Sequence, residues 1–253
     1  KRATCGEWRF PAKLTIDMLS VRFVGAYLCI SLSMALVLLL LNWLRIPPPS
    51  EAEQTGPTRP LKEIITQPKF VVAVTCAAIG YGVMNLMMTA TPLAMAVCGY
   101  PYLETASVIG WHIIGMFAPS LFTGSLIKRC GIQWVLLAGV ALLYICVTIA
   151  LSGNSVSHFW WAMLIQGVGW NFLYVGGTTL VTQSYQPAEK AKAQGANDMA
   201  IFLTMVLSSF SSGVLLENNG WQTLNMLALP LVTVAAMAIV WLFWLRRPEP
   251  AAA

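Results

Sequence analysis

The sequence predicts an all-α polytopic membrane protein of about seven transmembrane helices, and three observations carry that expectation. Hydrophobic residues make up 57% of the 253 and charged residues 10%, with a mean hydropathy of +0.69, whereas soluble domains carry about 25% charged residues. The apolar residues gather into runs long enough to cross about 30 Å of hydrocarbon. The basic residues between those runs alternate loop by loop. So few charges could not cover a water-facing surface, which makes lipid the expected solvent.

The runs are Phe23–Leu44, Phe70–Val97, Thr105–Ile127, Ile132–Ser152, Phe159–Tyr185, Ala193–Leu216 and Trp221–Leu245. They are too long for strands and do not alternate polar with apolar residues. Turn chemistry separates them: Cys98-Gly99-Tyr100-Pro101, Ser152-Gly153-Asn154-Ser155 and Glu217-Asn218-Asn219-Gly220. Gln186-Pro187-Ala188-Glu189 reads as a helix start, with Pro187 in a first-turn position and Glu189 at the positive end of the helix dipole. One connection is long, from Arg45 to Lys69, and its prolines (Pro47-Pro48-Pro49, Pro57, Pro60) point to an extended linker outside the membrane.

Topology follows from the positive charges. The long linker holds Arg45, Arg59, Lys62 and Lys69; the third-to-fourth connection holds Lys128 and Arg129; the fifth-to-sixth holds Lys190 and Lys192; the tail holds Arg246 and Arg247. The intervening connections have no Lys or Arg. This pattern puts the basic connections and the C-terminus in the cytoplasm. Lys1, Arg2, Arg9, Lys13 and Arg22 precede the first span on the side that the rule assigns to the exterior. That conflict, a start on Lys1-Arg2 and an odd number of spans lead to the expectation of a fragment whose upstream helices set the orientation. The six cysteines (Cys5, Cys29, Cys76, Cys98, Cys130, Cys146) show no metal-ligand spacing and read as packing residues.

Polar residues far from helix ends are confined to four spans. Asn85 lies in the second, His112 in the third, Gln166 and Asn171 in the fifth, and Asn197-Asp198 about 10 Å into the sixth. The first, fourth and seventh are clean in their middles. Four spans are therefore expected to face a polar interior. A central Asp costs roughly 2.5–3.5 kcal/mol on insertion scales, so Asp198 calls for either a hydrogen-bonding helix or a water-filled cavity. The same two roles are open for His112, and for the amides an interhelical hydrogen bond is the simpler one. Ala118-Pro119-Ser120, Gly167-Val168-Gly169 and Gly176-Gly177 mark kinks or close helix approach in the third and fifth spans.

An internal repeat accompanies this division. Ser120/Ser209, Gly124/Gly213, Leu126/Leu215, Gly131/Gly220 and Gly80/Gly169 align at one offset. That offset spans three helices, so the two copies run in opposite directions across the membrane.

The segment Gly124-Ser-Leu126-Ile-Lys128-Arg129-Cys-Gly131 resembles the G-x-L-x-D-R-x-G loop signature of the major facilitator superfamily. Lys128 stands where that pattern has an acid, and Ile132-Gln133 replaces a basic pair. Pro187-Ala-Glu189-Lys190-Ala-Lys192-Ala-Gln194-Gly195 is similar to the P-x-E-R-x-x-x-x-G pattern of bacterial members. The resemblance covers 23–247. It implies a C-terminal six-helix bundle of two inverted three-helix repeats over 70–247, preceded by a helix like the family's sixth within 1–44, a linker over 45–69 and a tail over 248–253. It also implies that four of the six bundle helices line a central cavity, the same four that carry the polar residues.

The function expected is transport of a small solute by alternating access, with Asn85, His112, Gln166, Asn171, Asn197 and Asp198 along the path and His112 or Asp198 able to exchange a proton. Gly124, Lys128, Arg129 and Gly131 would form the loop motif. The expected setting is a bacterial inner membrane, with a missing N-terminal half or a second copy as partner, no nucleic acid, no cofactor and no metal. A non-transporting remnant or assembly subunit is the alternative. The motifs H-E-x-x-H and G-x-S-x-G do not occur, which disfavours an intramembrane enzyme.

Overall fold

The structure is a computed structural model that describes residues 24–45 and 56–245. Among the described residues every regular element is helical: α1 (Val24–Trp43), α2 (Leu61–Ile65), α3 (Pro68–Val97), α4 (Tyr102–Phe117), α5 (Ser120–Cys130), α6 (Ile132–Ser152), α7 (Val156–Val181), a 3-10 turn (Pro187–Glu189) and α8 (Lys190–Leu245). Gly220, at φ 75 and ψ 174, breaks α8 into arms 190–219 and 221–245.

Five stretches are long and apolar enough to cross a membrane: α1, α3, α4 with α5, α6, and the 59 residues of Pro187–Leu245. The last holds two crossings, one per arm. Helix α7, at 26 residues, spans about 39 Å and is more polar because it carries Gln166 and Asn171. The seven-span expectation therefore stands as an all-α polytopic membrane protein. One boundary differs: Glu217, Asn218 and Asn219 continue the helix, and the break narrows to Gly220 alone.

Glycine placement explains how the bundle closes. Helix α7 packs on α3, α4 and α6, while α3 and α6 also pack on α8. A Cβ at Gly167 would lie 2.5 Å from the His112 carbonyl, and one at Gly177 would lie 2.8 Å from the Ala73 carbonyl. Hydrogen in place of a methyl lets these backbones touch. Around them a continuous apolar core runs from Phe70 and Cys76 through Leu143 and Cys146 to Leu224 and Ile239. The buried Cys146 lies against Met87, 3.8 Å between sulfurs, which is the packing role expected of it.

The two ends of the bundle differ in chemistry as the charge pattern requires. At one end Arg59 meets Glu189 and Gln67 meets the Ser184 carbonyl, which joins the linker to the α7–α8 connection. At the other, Tyr100 Oη donates to the Asn154 carbonyl at 2.9 Å and Trp221 Nε1 to the Ala150 carbonyl at 3.1 Å. The Phe159 ring centroid lies 6.3 Å from that of Tyr100 and 5.1 Å from that of Trp221. This end has aromatic rings and no Lys or Arg in its turns, a composition suited to a membrane–water interface. Its first turn closes with Gly99 at φ 78 and the Tyr100 N–H donating to the Met95 carbonyl at 3.0 Å, a glycine C-cap.

The repeat is visible in the backbone. Gly131 has φ 90 and ψ 150, and Gly220 has φ 75 and ψ 174. The two aligned glycines thus turn the chain in the same way between the second and third helices of each copy. A left-handed φ is open to glycine at little cost.

Two parts differ from the bundle core. Helix α1 is exposed along almost its whole length, with only Gly25 buried. The end of the linker is not extended throughout: after Pro60 it forms α2 and buries Ile64 completely. Burial of Ile64 and the reach of Arg59 to Glu189 oppose the entropy cost of ordering this segment. Lys1, Arg2, Cys5, Arg9, Lys13, Arg22, Pro47-Pro48-Pro49, Arg246 and Arg247 lie outside the described residues.

Replacing Gly167 by Ala is expected to destabilise the fold by about 1–3 kcal/mol through overpacking. Gly213→Ala, at a position open to space, should be neutral or slightly stabilising. Thermal unfolding of the purified variants in detergent distinguishes the two, and equal behaviour would contradict the close α4–α7 approach.

Candidate functional site

The polar residues expected along the path fall into two interhelical clamps and a set of unpaired groups. Asn171, on α7 and 1% exposed, donates from Nδ2 to the Met116 carbonyl at 2.7 Å and to Ser120 Oγ at 2.6 Å. Its Oδ1 accepts from Thr123 Oγ1 at 2.7 Å. These contacts span Ala118-Pro119, where α4 gives way to α5. Proline has no N–H to continue the ladder there, and Asn171 supplies hydrogen bonds to the interrupted turn from outside.

Asn85, on α3, makes a similar contact to the first arm of α8. Its Nδ2 donates to the Met205 carbonyl and to Ser208 Oγ, both at 3.0 Å. Met116 and Met205 are separated by 89 positions, as are Gly131 and Gly220. Thr123 and Ser212 are separated by the same 89, and Ser212 Oγ reaches across to the Leu86 carbonyl at 2.9 Å. Each repeat therefore offers an asparagine from its first helix to the second helix of the other repeat.

His112 is fully buried, with Nδ1 2.9 Å from the Met163 carbonyl. A carbonyl only accepts, so Nδ1 carries a proton, and Nε2 has no partner. Gln166 is fully buried with neither amide atom paired, and Trp170 Nε1 is also unpaired. Buried polar atoms without partners are uncommon in folded proteins. On α8, Asn197 is buried and donates to the Oδ1 of the exposed Asp198 at 3.1 Å, while its own Oδ1 is unpaired. Asp198 lies within electrostatic reach of Tyr174.

The fold thus brings His112 and Asn171 to the α4–α7 seam, buries Gln166 on α7, sets Asn85 on the α3–α8 seam, and leaves Asn197 and Asp198 as neighbours on α8. A cavity of about 530 Å³ lies elsewhere, between the C-terminal end of α3 and the N-terminal half of α4, lined by Pro92, Tyr100, Tyr102 and Ile109 among others, and none of the six residues lines it. The loop motif is mostly helix: Gly124, Lys128 and Arg129 belong to α5, where the two basic residues occupy the last turn and complement the dipole. Only Gly131 forms the turn.

Sequence reasoning did not find two groupings. One is aromatic: Trp170 and Tyr174 stack at 5.0 Å and 9° between rings, and Tyr81 meets both edge-on at 5.4 Å. The i, i+4 spacing of Trp170 and Tyr174 was a signal for it. The other is the Arg59–Glu189 clamp. Arg59 donates from Nη2 to Oε2 at 2.6 Å, and from both Nε and its backbone N to Oε1 at 2.8 Å. The Gln186 N–H also donates to Oε2, at 2.9 Å, closing the capping box expected of a helix start. Separated by 130 positions, the pair had no local signature.

Those donors, the Arg59 guanidinium first and the Gln186 N–H next, hold the Glu189 carboxyl down at about 2, from an ordinary 4.5. A depressed folded-state value means that the clamp's contribution is complete above about pH 4.5 and is lost as pH falls toward 2. Glu189→Gln is therefore expected to lower the unfolding temperature by a constant amount above pH 5. That gap should close on acidification through the same window in a pH series of melting curves. A gap indifferent to pH would remove the ion pair as its cause.

Comparison with known proteins agrees with this architecture. Residues 106–253 match the family model of the Major Facilitator Superfamily. The riboflavin transporter RfnT of Brucella anthropi is 41% identical over 235 residues, covering 91% of this chain and 58% of that protein. Two uncharacterized MFS-type transporters of Bacillus subtilis, YddS and YdeG, are 31% and 32% identical over 64% and 68% of this chain. The chain spans less than two thirds of the length of each: 58%, 37% and 40%. With its helical bundle, inverted repeat and loop motifs, the chain belongs to the Major Facilitator Superfamily.

Proposed function

We propose that this chain is the C-terminal bundle, with its preceding helix, of a secondary transporter that moves a flavin-like solute across a bacterial inner membrane by alternating access. The observation that carries this reading is the 41% identity to a riboflavin transporter across 91% of the chain. Buried polar atoms without partners, at His112, Gln166, Trp170 and Asn197, support it, since a solute or water would satisfy them. The basic linker and the α7–α8 connection lie on the cytoplasmic side in this reading, with the C-terminus.

A second six-helix half, or a second copy, completes the path. Phe117 and Leu121 of α4 and α5, and Phe202, Val206 and Phe210 on the first arm of α8, are exposed. Helix α1 is exposed on nearly all sides. Such surfaces need lipid or protein cover, and the polar seams they flank favour protein. The alternative, an assembly subunit without transport, shares that cover and differs only in moving no solute.

His112 and Asp198 are the groups able to exchange a proton along the path. The test is riboflavin uptake into vesicles holding the product of the full reading frame that encodes this chain, with and without a proton gradient. Saturable uptake is expected. Asp198→Asn or His112→Gln should lower it at least tenfold or abolish its gradient dependence. Undiminished, gradient-dependent uptake by both variants would end the coupling role, and the absence of any riboflavin uptake would end the flavin assignment.

A further inference from the structure

The aromatic grouping beside Gln166 has no role in the clamps or in proton exchange, and its geometry points to a specific one. Trp170 and Tyr174 from α7, Tyr81 from α3 and Phe117 from the end of α4 converge from three helices, with Phe117 6.2 Å from Trp170. Trp170, with Tyr81 and Tyr174 packed against it, clusters with Met84 and Met116, and Met88 packs against both this cluster and the main core. Trp170 and Tyr81 each sit near the middle of their helices, at the depth where transporters hold solutes. The cluster is not sealed: Tyr81 and Tyr174 are half-buried and Phe117 is 60% exposed.

Its polar groups are what a core would not leave. A buried Trp N–H ordinarily finds an acceptor, yet Trp170 Nε1 has none at 4% exposure. One helical turn earlier, Gln166 is 0% exposed with both amide atoms unpaired. Rings with vacant donors and an acceptor at their edge match a ligand that is flat, aromatic and hydrogen-bonding at its rim. Stacked and edge-on rings hold such a ligand by dispersion and quadrupole attraction, and the amide distinguishes it from a plain hydrocarbon.

We infer that Tyr81, Trp170 and Tyr174, with Phe117 at the rim and Gln166 at the edge, form the recognition wall for a planar fused heteroaromatic ring. This rests on the transport reading above and adds to it the part of the solute that is read. The wall recognises the ring system and not a flexible side chain, so a bare ring is bound through the same residues.

Binding to the purified product of the full reading frame tests this, read as quenching of the probe's fluorescence. The probes are riboflavin and lumichrome, which keeps the three-ring system without the polyol chain. Trp170→Leu and Tyr174→Leu are expected to weaken both probes at least tenfold. Gln166→Leu should weaken both by a smaller factor, and Trp241→Leu, exposed on the second arm of α8, should change neither. Phe117→Ala, at an exposed rim position, keeps the test decisive if Trp170→Leu fails to fold, and should also weaken both. Wild-type affinity for both probes in Tyr174→Leu and Phe117→Ala would overturn the wall, even with riboflavin transport intact. Trp170-dependent binding of lumichrome by a protein that does not carry riboflavin would uphold the wall while ending the flavin assignment. Binding of neither probe by the wild type would overturn the wall as well.

Discussion

Helix α7 is held at backbone distance from its neighbours, and most of the architecture depends on that approach. Gly167 lies against the His112 carbonyl and Gly177 against the Ala73 carbonyl, so α4 and α3 come closer than side chains would allow. Lipid tails are as apolar as a leucine side chain, so helices in a bilayer associate through packing and hydrogen bonds and gain little from excluding water. Small residues on α7 supply the first, and Asn171 supplies the second by bonding across to Met116, Ser120 and Thr123. Without this central helix, the proline break between α4 and α5 would lack its external hydrogen bonds.

The two seams use similar contacts: an asparagine on the first helix of each repeat bonds a methionine carbonyl and a serine on the second helix of the other. The methionines keep the 89-position offset of the repeat, whereas Asn85 and Asn171 lie 86 positions apart. The copies are not identical. Asn171 is nearly fully buried and acts beside a proline, whereas Asn85 is half-buried and acts on an unbroken helix. The glycine turns at Gly131 and Gly220 repeat the same left-handed φ on opposite sides of the bundle.

Outside the spanning region the Arg59–Glu189 pair ties the linker to the connection between α7 and α8. Glu189 is fully enclosed, yet donors on every side keep its charge. A carboxylate so enclosed persists only because hydrogen bonds replace the water it has lost. The pair holds the end of the linker, just before α2 and α3, against the α7–α8 connection.

Fold class, number of spans, the alternation of basic and neutral ends, and the repeat were legible in the sequence, because lipid imposes long apolar runs and glycine and proline mark the turns directly. The restriction of Asn85, His112, Gln166, Asn171 and Asp198 to four spans was legible for the same reason: polar groups at depth are conspicuous against an apolar background. Their partners were not. Asn171 pairs with Thr123 across 48 positions, Asn85 with Ser208 across 123, and Arg59 with Glu189 across 130. A one-dimensional pattern shows that a polar group needs a partner, but only packing decides which partner comes within 3 Å. The aromatic wall was hidden differently, since Tyr81, Phe117, Trp170 and Tyr174 look like ordinary apolar filling until three helices bring their rings together. The sequence by itself determined that this chain crosses a membrane and which helices carry polar groups. The tertiary structure decided which of those groups clamp helices and which are left unpaired, because that choice depends on distances set by glycine-mediated contact between helices far apart in the chain.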